Sequence, residues 1–109
     1  AAMLAERLDA GRLPAQAPEP NDALDAASKR VRVVEIGRTV QGRPINMFIF
    51  GYPEPLPSAA RISATPTVLV QCHVHGNEPS MCESCLILAR ELAFTDDPDL
   101  LDIMSRATC

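Results

Sequence analysis

Tryptophan is absent from this chain, and one tyrosine and three phenylalanines are its only aromatics. That leaves little to stack on nucleic-acid bases, and no basic excess compensates. Ten Lys and Arg stand against fourteen Asp and Glu, for a net charge of −4, and the basic residues are scattered. A nucleic-acid partner is therefore not expected. No apolar run approaches the ~20 residues needed to span a bilayer, so no membrane insertion is expected either. Internal repeats and low-complexity tracts are also missing. No leader is visible ahead of Ala1, as expected after processing or in part of a longer chain. The four cysteines, Cys72, Cys82, Cys85 and Cys109, do not have the look of a disulfide scaffold. Three of them fall in apolar strand or helix patterns, where a reduced cysteine behaves as a small hydrophobe. Cysteine usage leaves the redox compartment open.

What is present is a chain of 109 residues, 47% hydrophobic, with room for one domain at most. A core is possible, burying about two-thirds of the unfolded surface. Residues 1–30 read as an N-terminal helical and proline-rich extension. A short helix is expected over Met3 to Leu13, with Leu4 and Leu8 on one face for packing on its own domain or on a partner. Pro14, Pro18 and Pro20 then make an extended linker. Asn21 or Asp22 is placed to cap a second short helix through Ala23 to Ser28.

From Arg30 the period changes. Val31, Val33, Val34 and Ile36 form one β-rich run, and Ile45 to Phe50 another. Gly42 and Pro44 between them suit the loop of a hairpin. Residues 52–66 contain four prolines and read as a surface connection. Thr67 to Val74 is a near-continuous apolar run, the pattern of a strand buried on both faces. Ser80 to Phe94 is expected to be helical, with Met81, Cys85, Leu88 or Ala89, and Leu92 on one stripe. Asp97 and Pro98 open another short helix through Met104, and residues 107–109 look like the start of a strand. This order predicts an α/β fold with a mixed β-sheet flanked by helices. Because a compact domain rarely ends as a strand begins, the fold is expected to be incomplete in this chain.

The richest chemistry lies in Cys72-His73-Val74-His75-Gly76-Asn77-Glu78-Pro79. A histidine and a glutamate three residues apart, where a strand gives way to a helix, can close on one metal ion. Gly76 is expected to allow the sharp turn, and Pro79 suits the first turn of the helix. His75 and Glu78 would be two members of a His2Glu zinc set, at the carboxyl end of a strand where open α/β sheets place their chemistry. The alternative is a glutamate that caps the helix beside a loop histidine. His73 is either a substitute ligand or second contact, or simply a strand histidine bonded to a local partner. Cys82 and Cys85 could join His73 and His75 in a structural zinc cluster, or pack in the core. Arg38 and Arg43 could hold an anion, or be solvated or paired with Glu35.

His75-Gly76-Asn77-Glu78-Pro79, set between an apolar strand and an apolar-striped helix, resembles the zinc-binding segment of the zinc carboxypeptidase family. Glu35-Ile36-Gly37-Arg38-Thr39-Val40-Gln41-Gly42-Arg43-Pro44-Ile45 is similar to that family's Gly-x-Ser/Thr-x-x-Gly-Arg-Pro hairpin. The resemblance covers roughly Val31 to Leu92. It implies that residues 31–109 are the N-terminal part of a zinc carboxypeptidase-like catalytic domain, with one zinc ion and peptide or protein C-termini as substrate. His75 and Glu78 carry over as the first two zinc ligands. Asn77 stands where pancreatic-type members have a substrate-contacting arginine, as in regulatory and many bacterial members. The family's third ligand, its general-base glutamate, and its carboxylate-holding arginine and tyrosine all come later. No catalytic residue is therefore assigned here, since Glu83 and Glu91 lie too near the ligands to match the base. Substrate-binding positions are unassigned, and the remainder of the catalytic domain is an expected partner. A secreted or periplasmic location is implied by the family alone. Two other readings stay open: a zinc-dependent deacylase of the succinylglutamate desuccinylase or aspartoacylase kind, and a non-catalytic binding module keeping the half-fold. The Gly-Arg-Pro hairpin argues against the deacylase.

Overall fold

The computed structural model describes residues 22–109; the expected Met3–Leu13 helix and the proline linker lie outside them. Helix α1 spans Asp22–Ala27. Strands β1 (Val31–Arg38) and β2 (Pro44–Phe50) follow as an antiparallel pair. Their register sets Val31 opposite Phe50 and Val33 opposite Phe48, while Val34 faces Met47 and Arg32 faces Ile49. Side chains alternate across a strand, so these pairs belong to opposite faces. Past Glu35 the register shifts, and Ile36 becomes the extra residue of a bulge between Glu35 and Gly37. At the tip, the Thr39 carbonyl accepts the Gly42 N–H at 2.9 Å, and Gly42 takes φ 79. Arg38 grips Glu35 with two bonds of 3.0 and 3.1 Å and donates to the Gly42 carbonyl at 2.7 Å. Of the two expectations for Arg38, pairing with Glu35 is the one observed. The guanidinium is thereby committed within the hairpin.

Each face of the hairpin has its own cover. On one, Val31 and Phe50 meet Ala89, Leu92 and Ala93 of α3 (Pro79–Phe94) and Met104 of α4 (Pro98–Arg106). On the other, Val34 and Ile49 pack with Ala59 and Ile62 of α2 (Ala59–Ser63). Residues 52–66 connect along the surface as the sequence predicts, with the addition of the short helix α2, which has no fully buried residue. Ser58 begins it by accepting the Arg61 N–H at 3.3 Å, and the apolar contacts of Ala59 and Ile62 hold it in place. Gly51 precedes this connection where a Cβ would come within 2.9 Å of the Glu54 carbonyl oxygen. Asp97 caps α4, accepting the Asp99 N–H at 2.9 Å, with Pro98 in the first turn.

The expected strand over Thr67 to Val74 is not formed. Thr67 makes a single parallel bridge with Thr108, and residues 69–74 make no backbone–backbone hydrogen bond among the described residues. Nor is the run buried: Val68, Leu69, Val70 and Val74 are all exposed. Hydrophobic side chains favour burial but cannot make a strand without a neighbouring ladder. Thr108 and Cys109 do behave as an incipient strand, with Cys109 exchanging reciprocal backbone bonds with Phe50. The α/β character is thus observed, with a two-stranded antiparallel sheet. The stripe of α3 divides in two. Ala89, Leu92 and Ala93 are in the core, while Met81 near its start and Leu88 past its middle are exposed.

Candidate metal centre

Immediately before α3 the chain reverses. The His75 carbonyl accepts the Glu78 N–H at 3.2 Å, closing a four-residue turn whose first and last side chains are neighbours. Pro79 then takes the first helical turn, where its missing N–H has no partner to lose. Glu78 is the residue that starts α3, yet its carboxylate makes no capping bond. It turns back instead, placing Oε2 3.2 Å from His75 Nδ1. Glu78 thus stands at the helix start beside a loop histidine, but its carboxylate contacts that histidine and makes no capping bond. Gly76 does not supply the left-handed backbone; His73 does, with φ 55. The ring of His73 lies over the same turn, with Nδ1 3.2 Å from the Glu78 carbonyl oxygen. It thus has the expected local partner, though it is not on a strand.

The His75–Glu78 spacing can be tested against a metal. Zinc–nitrogen and zinc–oxygen bonds run to about 2.0–2.2 Å, so two donors on a tetrahedral ion sit about 3.3–3.5 Å apart. The observed 3.2 Å separation of Nδ1 and Oε2 is close to that span. An imidazole nitrogen and a carboxylate oxygen are both donor types that zinc accepts. Both side chains are open to solvent, 70% and 49% exposed. A pair so exposed contributes about 0–1 kcal/mol to stability, so the fold does not require it. Among the described residues no group of three His, Cys, Asp or Glu gathers around a common point.

The cysteines depart from expectation. Cys72 is joined to Cys85 of α3 by a disulfide, with Cα atoms 6.3 Å apart, inside the usual range. Cys82 is free and exposed, and Cys109 is free and half-buried. The cluster of Cys82, Cys85, His73 and His75 does not form, because the sulfur of Cys85 is already bonded. Sequence reasoning missed this link. Its signal was a cysteine on each side of the His75–Glu78 motif, but spacing alone does not give connectivity. Burial pushes the Cys109 thiol pKa up.

The family model of the zinc carboxypeptidases matches residues 21–108. Since this is most of the 109 residues, the chain belongs to the zinc carboxypeptidase family, a family of zinc-dependent hydrolases. No curated protein and no solved structure matches the chain. No helix of the described residues is long and apolar enough to cross a membrane.

Proposed function

We propose that this chain carries two zinc ligands, His75 and Glu78, of a metallocarboxypeptidase that removes C-terminal residues from peptides. The observation that carries the reading is the approach of His75 Nδ1 to Glu78 Oε2 at 3.2 Å, made by a turn at the start of a helix within the family match. His75 offers a neutral nitrogen and Glu78 one negative charge, so the pair only partly offsets the charge of a divalent ion. Zinc held there supplies Lewis acidity for activating water and polarising a carbonyl. The turn's part is to hold both donors on one side of the α3 N-terminus, open to solvent and so to substrate. We assign the third ligand and the general base to residues outside these 109. Residues 31–109 are then the N-terminal part of the catalytic domain, and residues 1–30 an extension ahead of it. The Cys72–Cys85 disulfide supports a secreted or periplasmic location, since such bonds persist in oxidising compartments.

The test is hydrolysis by the complete protein of peptides with free C-termini, beside N-acyl amino acids. Release of C-terminal residues, lost to a chelator and restored by zinc, is the expected result. Turnover of N-acyl amino acids alone would point to a deacylase. The isolated 109-residue chain is expected to show no turnover at saturating zinc, and measurable peptidase activity from it would contradict the proposal.

A further inference from the structure

We propose that Cys72, Cys82 and Cys85 form a thiol–disulfide exchange site, in which Cys85 is the sulfur shared by two alternative links. One link is present, Cys72 to Cys85, with Cα atoms 6.3 Å apart. The other is set by α3 itself, because Cys82 and Cys85 both lie within Pro79–Phe94, three residues apart. On a helix rising 1.5 Å per residue at a Cα radius of about 2.3 Å, such positions are about 5 Å apart. Both separations fall in the ~4.4–6.8 Å range over which a disulfide closes without backbone movement. Cys82 holds the free thiol of the three. Cys-x-x-Cys pairs such as Cys82-Glu83-Ser84-Cys85 are a recurrent setting for exchange chemistry. Cys109, the remaining free cysteine, is tied elsewhere, through its backbone to Phe50 and through packing on the core beneath it.

The step needs no outside oxidant or reductant. Cys82 gives up its proton, and its thiolate attacks Cys85 Sγ in line with the existing bond. A Cys82–Cys85 bond forms as Cys72–Cys85 breaks. The electron pair leaves with Cys72 Sγ, which then takes up a proton. One disulfide and one thiol stand on each side of the exchange, so nothing is oxidised or reduced overall. Because attacker and target share one helical turn, no external thiol has to reach the link. The result is a tether that moves. In the first state Cys72 is bonded to α3. In the second the link lies within α3, and Cys72 is a free thiol three residues before His75.

The test follows the complete protein, kept at about pH 4, where thiols stay protonated, and then raised to about pH 8 for timed intervals without added thiol. Free thiols are trapped with iodoacetamide. Trypsin leaves all three cysteines on residues 62–90, and cyanogen bromide cutting after Met81 separates Cys72 from the other two. The starting population gives linked pieces with alkylated Cys82. The expected result is a growing second population whose pieces come apart, with alkylated Cys72 and a Cys82–Cys85 bond. Below the thiol pKa its appearance should quicken about tenfold for each pH unit gained, since the thiolate is the attacking form. Cys82→Ser should keep the Cys72–Cys85 bond throughout, and Cys72→Ala should close Cys82–Cys85 under glutathione disulfide. Linked pieces with alkylated Cys82 at every time would overturn the proposal. So would release of Cys72 at the parent's rate in Cys82→Ser, or a bond from Cys82 to any cysteine other than Cys85. If Cys72→Ala does not fold, the parent and Cys82→Ser decide alone. Zinc content plays no part in this readout, so failure here leaves the assignment of His75 and Glu78 untouched, and failure of that assignment leaves the exchange site standing.

Discussion

Glu78 does two jobs at once: its backbone begins α3 and its carboxylate turns away from the helix to meet His75. A glutamate at this position ordinarily gains from the positive end of the helix. Here the turn closed by the His75 carbonyl brings the imidazole within 3.2 Å of it. His73 adds to the same knot from an unusual left-handed backbone. Side-chain environment also separates the two free cysteines. The thiolate is the nucleophile, and burial raises the pKa of Cys109 while Cys82 is exposed. A raised pKa leaves less thiolate at any pH below it, so Cys82 should react with iodoacetamide faster than Cys109 at pH 8. Mass mapping of partially alkylated protein checks this, and equal rates would mean that Cys109 is not shielded as described.

Among the elements, those defined by local chemistry were legible in the sequence. Gly42 and Pro44 marked the loop between β1 and β2, Pro79 marked the start of α3, and Asp97 with Pro98 marked α4. What depended on distant partners was not. The run from Thr67 to Val74 has the composition of a buried strand, yet it pairs only at Thr108. Helix α2 depends on the apolar surface of Val34 and Ile49, which no local pattern in residues 52–66 announces. The contact of His75 with Glu78 was readable because both residues lie in one turn; the disulfide was not, because any two of four cysteines could have paired. The hairpin's second face depends on Val34, which is fully buried against Ile49. Val34→Ala removes two buried methyl groups and leaves a cavity, for a loss of roughly 2 kcal/mol. Urea unfolding should show this as a lower midpoint at unchanged slope. A change within 0.5 kcal/mol would mean that α2 does not close over that face.

At the scale of the molecule, a two-faced hairpin and the C-terminal part of α3 form the ordered body, from which the turn of His75 to Glu78 projects. Its core is modest, and an apolar face along residues 68–74 and the start of α3 is left open. The family match spans both the hairpin with its Gly-Arg-Pro loop and the His-x-x-Glu turn. All of this matters for function through one claim, that the imidazole and carboxylate of the turn hold the same ion. Zinc content per chain, measured by elemental analysis on the complete protein and on His75→Ala and Glu78→Gln, addresses it directly. About one zinc per chain in the parent and nearly none in either variant is the predicted result, with fold retained by circular dichroism because both side chains are exposed. Undiminished zinc in both folded variants would contradict the account.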